Sequence, residues 1–451
     1  MNIVIVGAGK VGLNLVKHLS LEDHNITVID KEPSLIEYAV NNYDVLGICG
    51  NGANFEVQKE AGVDKARLLI AATSSDELNV MCCMIGKKVG ARHTIARVRN
   101  PEYSRQLHFL KEELGLSMAV NPELEAANEI SRILRFPSAI KIDSFSKGRV
   151  ELAEIRIKEN SPLVGKPISD IYKDYRVEIL VCAVRRKENV YIPSGDFVLE
   201  KDDKISITAT RKQLSSFMKQ IGMYEHSAKN TMIIGGGRIG YYLASQLTEL
   251  GFRIKIIEID KERCLELSRL LPKAEIICAD GTDKEVLLEN GVEQQDGVVC
   301  LAQFDEENII TSLFVSSLGV KKTVTKVNRV SSEVLTSIGV ESIISPKNLA
   351  ANRIVRYIRA LTNSDGSGVK TMYELVDGQV EALEFHIEEE KEYTSIMFKD
   401  LPIKDNILIC CLIRNNKLVF PRGDDTMEVG DTVIVITNNQ KKMTSLSDIF
   451  K

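Results

Sequence analysis

The chain has no long apolar run; its longest uninterrupted apolar stretch, Ile407–Ile413, is seven residues in a chain of 451. A membrane-spanning helix needs about 20, so the chain is not expected to cross a bilayer by itself. It opens directly on strand-like sequence, Asn2-Ile3-Val4-Ile5-Val6, with no basic stretch followed by an apolar segment. No signal peptide is therefore expected. The nine cysteines form no CxxC pair, and their odd number and spacing match neither a disulfide framework nor a zinc site. They are expected to be buried, reduced thiols of a cytosolic protein. Neither sign of charge dominates. A net charge of −5 argues against general nucleic-acid binding, though not against a local basic patch. The six histidines (His18, His24, His93, His108, His226 and His386) do not cluster, and none lies within 143–222. There is no G-K-[ST] loop and no GxSxG elbow. Redox catalysis on a nicotinamide needs a second domain that places a substrate and a proton donor. The expected protein is a binder that changes shape rather than a catalyst.

The chain repeats itself. Gly7-Ala8-Gly9-Lys10-Val11-Gly12 returns as Gly235-Gly236-Gly237-Arg238-Ile239-Gly240, offset by 228 residues, and Asp30 falls opposite Glu258. Asn51-Gly52 answers Asp280-Gly281, Asp76-Glu77 answers Asp305-Glu306, and Arg97-Val98-Arg99 answers Lys326-Val327-Asn328, one residue further on. Later, Ile179–Cys182 answers Ile407–Cys410, and Pro193, Gly195 and Asp196 answer Pro421, Gly423 and Asp424. A repeat this long predicts two structurally equivalent halves.

Within each half the texture changes. Up to about residue 135, short Val/Ile strands such as Ile26–Ile29 and Leu68–Ala72 alternate with helical stretches, one after Gly9 and another over Glu77–Gly86. That alternation predicts a doubly wound parallel sheet of the Rossmann type. Strands at Val150–Ile157, Ile179–Val184 and Lys204–Thr208, separated by turn signals and followed by a helix from Lys212 to about Ile221, predict a small α+β domain. The α/β fold class is thus expected as four domains: Rossmann over 1–135, small over 143–224, Rossmann over 230–362 and small over 369–451. Tyr224–Asn230 links the halves, and Ser364-Asp365-Gly366-Ser367-Gly368 is the most linker-like stretch.

Each glycine loop follows a strand and opens a helix, the context a dinucleotide fingerprint requires. Gly7 permits the tight turn, Gly9 lets backbone approach a pyrophosphate, and Gly12 lets the helix lie close to the sheet. The helix N-terminus offers free N–H groups and partial positive charge. Asp30, 23 residues after Gly7, can accept ribose hydroxyls and would repel a 2′-phosphate, favouring NAD-type or adenosine nucleotides. The second copy keeps its glycines and Glu258, but Ala302 replaces Thr73 and Lys326 replaces Arg97. Lys10 and Arg238 either meet a terminal phosphate or are solvated charges. Thr73-Ser74 follows a strand end, where open α/β sheets bind ligands. Arg97 and Arg99, on one strand face, either hold phosphate or ribose or pair with Asp76 and Glu77; the structural reading is preferred for Arg99.

These motifs, with Ser161-Pro162-Leu163-Val164-Gly165 opening the small domain, resemble the RCK (regulator of potassium conductance) family in its tandem form, that of the cytosolic NAD-binding subunits of bacterial and archaeal Trk potassium-uptake systems. The resemblance covers nearly the whole chain. It implies a homo-oligomer, a tetrameric ring, lying on the inner face of the cell membrane beneath a membrane-embedded potassium channel or transporter subunit. It implies that NAD or NADH, or ATP and ADP, bind the Rossmann lobes and gate that partner. Gly7 to Val11, Asp30, Thr73, Ser74 and Arg97 would line the first site; Gly235 to Ile239 and Glu258 would line the second. The small lobes show no obvious site. Two alternatives stay open: an NAD-dependent oxidoreductase with duplicated Rossmann domains, and a transporter-associated ATP sensor without an NAD role.

Overall fold

Runs of β-branched and aliphatic residues set the strands, and apolar spacing of three to four sets the helices that cover them. In Lys10–Leu19, Val11, Leu15, Val16 and Leu19 are buried and so form one stripe. The computed structural model describes the chain except residues 23, 104–113, 136–140, 146–149, 224–227, 330–331, 341, 364–368, 376–378, 416, 439–442 and 444. The linker expected at Ser364–Gly368, most of the one at Tyr224–Asn230, and His108 and His226 lie outside the described residues.

The chain forms two compact units. The first, Met1–Ser131 with Lys229–Val355, holds two six-stranded sheets. One is built from β1 (Asn2–Val6), β2 (Asn25–Asp30), β3 (Leu46–Cys49), β4 (Leu68–Ala71), β5 (His93–Arg97) and β6 (Met118–Val120), in the order β3-β2-β1-β4-β5-β6. All its pairings are parallel. This is the strand order of a Rossmann fold, with its switch point between β1 and β4.

The second unit, Arg132–Ala228 with Arg356–Lys451, begins with β7 (Lys141–Phe145), β8 (Val150–Arg156), β9 (Ile179–Arg186), β10 (Asn189–Tyr191) and β11 (Lys204–Ala209). They form an antiparallel sheet ordered β10-β9-β11-β8-β7.

The duplication is complete in topology. In the first unit, β12 (Asn230–Ile234), β13 (Arg253–Glu258), β14 (Glu275–Cys278), β15 (Gly297–Cys300), β16 (Lys322–Lys326) and β17 (Ser342–Ile344) repeat the parallel order as β14-β13-β12-β15-β16-β17. In the second unit, β18 (Val369–Leu375), β19 (Val380–His386), β20 (Ile407–Arg414), β21 (Lys417–Val419) and β22 (Thr432–Thr437) repeat the antiparallel one as β18-β19-β22-β20-β21.

Within the first unit the Rossmann lobes clasp reciprocally. The helix Pro122–Arg135 of one lobe meets Arg238–Glu249 of the other: Asn121 Nδ2 donates to the Tyr242 hydroxyl at 3.0 Å, that hydroxyl donates to the Arg99 carbonyl at 3.0 Å, and Gln246 Nε2 donates to Asn128 Oδ1 at 2.8 Å. In return, the helix starting at Pro346 meets Lys10–Leu19, where Asn14 Nδ2 donates to Asn348 Oδ1 at 3.2 Å. Arg353 pairs with Glu125 across the same junction.

Within the second unit, Leu152, Cys182, Ala183, Val380, Ala382, Cys410, Cys411, Ile434 and Ile436 form one apolar layer between the two sheets. The equivalent Cys182 and Cys410 sulfurs meet there at 3.7 Å.

Candidate functional site

The glycine loop after β1 is locked by contacts that only glycine permits. Gly7 has φ +101°, and a Cβ there would stand 2.9 Å from the Ala72 and Thr73 backbone. At Gly12 a Cβ would fall 1.8 Å from the Gly7 carbonyl oxygen. Gly12 therefore serves the close crossing of helix over loop rather than the helix–sheet distance alone. Gly9 is different: nothing stands within 4 Å of where its Cβ would be. Gly9 also N-caps the helix Lys10–Leu19 without any side-chain cap. The first N–H groups of that helix have no intrahelical partner and open onto this space. By contrast, Ser75 and Asn54 cap their helices with side-chain oxygens.

Asp30 ends β2 and pins the loop. Its Oδ2 accepts the Ala8 N–H at 2.6 Å and its Oδ1 accepts the Glu32 N–H at 3.0 Å. Each carboxylate oxygen has further acceptor capacity. The acid read from sequence as a ribose acceptor therefore has a structural task as well.

These groups face a cavity of about 700 Å³. Of the residues singled out from sequence, Gly7, Gly9, Lys10, Val11, Asp30, Thr73, Ser74 and Arg97 line it, and Ile239 joins them from the second lobe. Ala8 is fully buried, and Gly12 packs under the loop. Gly235, Gly236, Gly237, Arg238, Gly240 and Glu258 belong to the equivalent loop of the second lobe and do not line this cavity.

Arg97 ends β5, and Arg99 lies beyond the strand rather than on it. The Arg99 and Asn100 N–H groups turn to the Asp76 carboxylate at 2.8 and 2.7 Å, which ends the ladder. The Arg99 side chain stands 3.8 Å from Asp76 and 4.0 Å from Glu123, and donates to the Ser74 carbonyl at 2.5 Å. Glu77 instead accepts from Ser75 and Tyr103. The ion-pair reading of Arg99 thus holds for Asp76 and not for Glu77. Arg97 Nη1 reaches the Thr73 carbonyl at 3.5 Å. The Nε atoms of both arginines are buried without a hydrogen-bond partner.

Sequence reasoning missed the contribution of the other lobe. Lys326, Asn328, Pro346 and Lys347 also line this cavity. Burial, then the neighbouring Arg99 charge, pushes the Arg97 guanidinium below its ordinary value, and Arg238 adds to the push. Burial likewise lowers Lys326 and Lys347, with Lys10 contributing to both. Each loop cation thus acts on groups of the opposite lobe. Asp76, Glu123 and Asp305 oppose these shifts, but the half-buried cations gathered from both lobes favour an anionic occupant. One signal was available: Pro122-Glu123 and Pro346-Lys347 open equivalent helices with opposite charge.

The second loop has the same frame. Gly235 has φ +107°, a Cβ at Gly240 would fall 2.4 Å from the Gly235 carbonyl oxygen, and Gly237 is open. Glu258 takes the Gly236 N–H at 2.6 Å and the Asp260 N–H at 2.9 Å. Arg263 Nε, however, donates to the Gly236 carbonyl at 2.8 Å. Its counterpart in the first lobe is Leu35.

A second cavity, of about 530 Å³, lies in the unit of small lobes, among Ile192, Pro193, Ser194, Lys399, Lys404 and Arg422. It arises from residues of both small lobes, which no single stretch of sequence reveals. No helix among the described residues is long and apolar enough to cross a membrane.

Two Rossmann lobes and two small antiparallel lobes in tandem define an RCK-type architecture. The crystal structure of the GsuK RCK domain shares it, with a TM-score of 0.64 at 18% identity, covering 96% of this chain and 92% of that one. The TrkA-N domain model matches residues 3–122 and 231–346, and the TrkA-C domain model matches 152–222. A Trk system potassium uptake protein TrkA homolog of Archaeoglobus fulgidus is 31% identical over 100% of both chains. Homolog 1 of Methanosarcina mazei is 30% identical over 97% of each. The chain belongs to the TrkA family.

Proposed function

We propose that the chain is the cytosolic regulatory subunit of a Trk-type potassium-uptake system, and that the first glycine loop holds an adenine nucleotide whose identity sets the shape of the subunit. The observation that carries this reading is the cavity itself: an uncapped helix N-terminus, an open Gly9 and cations from both lobes around one space. The buried Arg97 Nε, which has no hydrogen-bond partner, fits an anionic ligand. The relatives are Trk potassium uptake proteins by name, and a GsuK channel of the same fold has been solved bound to NAD.

NAD or NADH is the favoured occupant, with ATP and ADP as competitors. In this reading the loop Gly7–Val11 and the helix N-terminus receive phosphates, and Asp30 receives ribose hydroxyls. Thr73, Ser74 and Arg97 close the crevice, and Gly235 to Ile239 with Glu258 form a second, altered cradle. Lys326 and Lys347 draw the lobes together around negative charge. A ligand shifts shape only by its differential affinity for two states, and cations supplied by both lobes provide that difference. In a ring, coupling of roughly 1–3 kcal/mol per site would move a membrane-embedded partner. The domain limits 1–135, 143–224, 230–362 and 369–451 and the homo-tetrameric ring are part of this proposal. So is a peripheral place on the inner membrane face.

The test is equilibrium titration with NADH, NAD, ATP and ADP, followed by NADH–ATP competition. Saturable, mutually exclusive binding supports the reading. Turnover of nicotinamide with a metabolite would favour the oxidoreductase instead, and ATP binding without NADH binding would favour a pure ATP sensor.

A further inference from the structure

We infer that Cys264 and Cys278 form a thiol modification site in the second Rossmann lobe, where a hydroperoxide oxidises the exposed Cys278 and Cys264 closes a disulfide with it. Both cysteines converge on Glu258. Cys278 is the cross-strand partner of Glu258 in the parallel pairing of β13 with β14. The Cys264 thiol donates to the Glu258 carbonyl at 3.3 Å, which places it beside the strand position that Cys278 pairs with. Cys278 is exposed and Cys264 is 6% exposed beneath it, the arrangement of an attacking and a resolving thiol. Burial, then the neighbouring Cys278 thiol, pushes Cys264 up to about 11; Cys278, the exposed one of the two, is the sulfur that meets the oxidant.

The chemistry balances. The Cys278 thiolate attacks one peroxide oxygen, the O–O bond breaks, and water or an alcohol leaves with the second oxygen, giving a sulfenic acid. The Cys264 sulfur then attacks the Cys278 sulfur. The S–O bond breaks, water leaves with the Cys264 proton, and the disulfide forms. Two thiols are oxidised and one hydroperoxide is reduced.

The molecule contains its own controls. In the first lobe Cys49 is exposed at the equivalent strand end, but Ile36 stands where Cys264 does, so no partner thiol is at hand. In the second unit Cys182 and Cys410 are 3.7 Å apart but fully buried, beyond reach of a hydroperoxide. Closing the Cys264–Cys278 bond removes the Cys264 hydrogen bond to Glu258, whose carboxylate holds the Gly236 N–H. Oxidation therefore reaches the second glycine loop and leaves the first unaffected.

The experiment treats the reduced full chain with hydrogen peroxide, alkylates it and digests it with trypsin. The expected product joins the peptide of residues 264–269 to that of 274–284 and disappears on reduction with dithiothreitol. Cys278→Ser abolishes it, and Cys264→Ala leaves Cys278 as a dimedone-trappable sulfenic acid. Hydrogen exchange then reads the coupling: the Gly235–Gly237 segment is expected to change its rate several-fold on oxidation, the Gly7–Gly9 segment not at all. A wild-type digest in which Cys278 is over-oxidised while Cys264 is alkylated overturns the site, as does faster linkage of Cys182 to Cys410. Unchanged exchange at Gly235–Gly237 overturns the coupling.

Discussion

In the first Rossmann lobe Asn79 Oδ1 accepts the Thr73 N–H and the Thr73 hydroxyl, both at 2.7 Å. In the second lobe Ala302 offers no hydroxyl, and Asn308 Oδ1 is buried without a partner. Leu35 lines the first cavity, whereas Arg263 sits on the Gly236 carbonyl in the second. The backbone frames of the two loops are otherwise alike, down to the acid that bridges two N–H groups. Duplication has thus kept the glycine geometry, which is costly to alter, and changed the side chains around it. The first lobe is left with the open cradle. The second supplies Lys326 and Lys347 to its neighbour's cavity.

Substitutions at matched positions sharpen this contrast. The largest effect is expected at Asp30. Asp30→Ala removes a charged ligand acceptor, so nucleotide affinity should fall by about 1.5–3 kcal/mol, and it leaves two N–H groups unsatisfied. Calorimetry should show the binding loss and thermal melting a lower midpoint. Glu258→Ala should lower the midpoint comparably yet leave first-site affinity nearly unchanged. Next comes the cross-lobe effect. Lys326→Ala and Lys347→Ala together should weaken first-site binding roughly tenfold, with a shallower salt dependence, as loss of ionic contacts requires. If these substitutions alter only the second site, the shared cavity is not the binding space. A smaller effect is expected at the Asn79 pair: Thr73→Ala should cost about 1 kcal/mol of stability, and Ala302→Thr should return up to about 1 kcal/mol by giving Asn308 a donor. Denaturant midpoints decide both. The smallest is Arg263→Leu, an exchange expected to change stability by a few tenths of a kcal/mol while making the second cradle more like the first in its nucleotide titration.

Much of this was legible in the chain because local chemistry governs it. The turn at Gly7, the acid at Asp30 and the repeat to Gly235 follow from short-range geometry, and the two parallel sheets came out as the alternation implied. What was not legible rests on contacts between distant stretches. Nothing in the helical pattern of Pro346–Asn363 says that its start will lie against Lys10–Leu19, yet Lys347 there and Lys326 line the first cavity. Cysteine placement was also only half legible: Cys49 and Cys278 end edge strands of their sheets and are exposed, contrary to the expectation of uniformly buried thiols. Arg99 was placed on a strand because its neighbours alternate; Asp76 captures its N–H, and the strand ends at Arg97.

The most direct test of the central claim is a pair of calorimetric titrations with NADH, one on Gly9→Val and one on Gly237→Val. Both positions have room for a side chain and ordinary backbone angles, so both variants should keep the wild-type melting midpoint. The account predicts that Gly9→Val loses the main binding event and Gly237→Val retains it. Wild-type affinity in a folded Gly9→Val protein would show that the nucleotide does not lie on the first glycine loop.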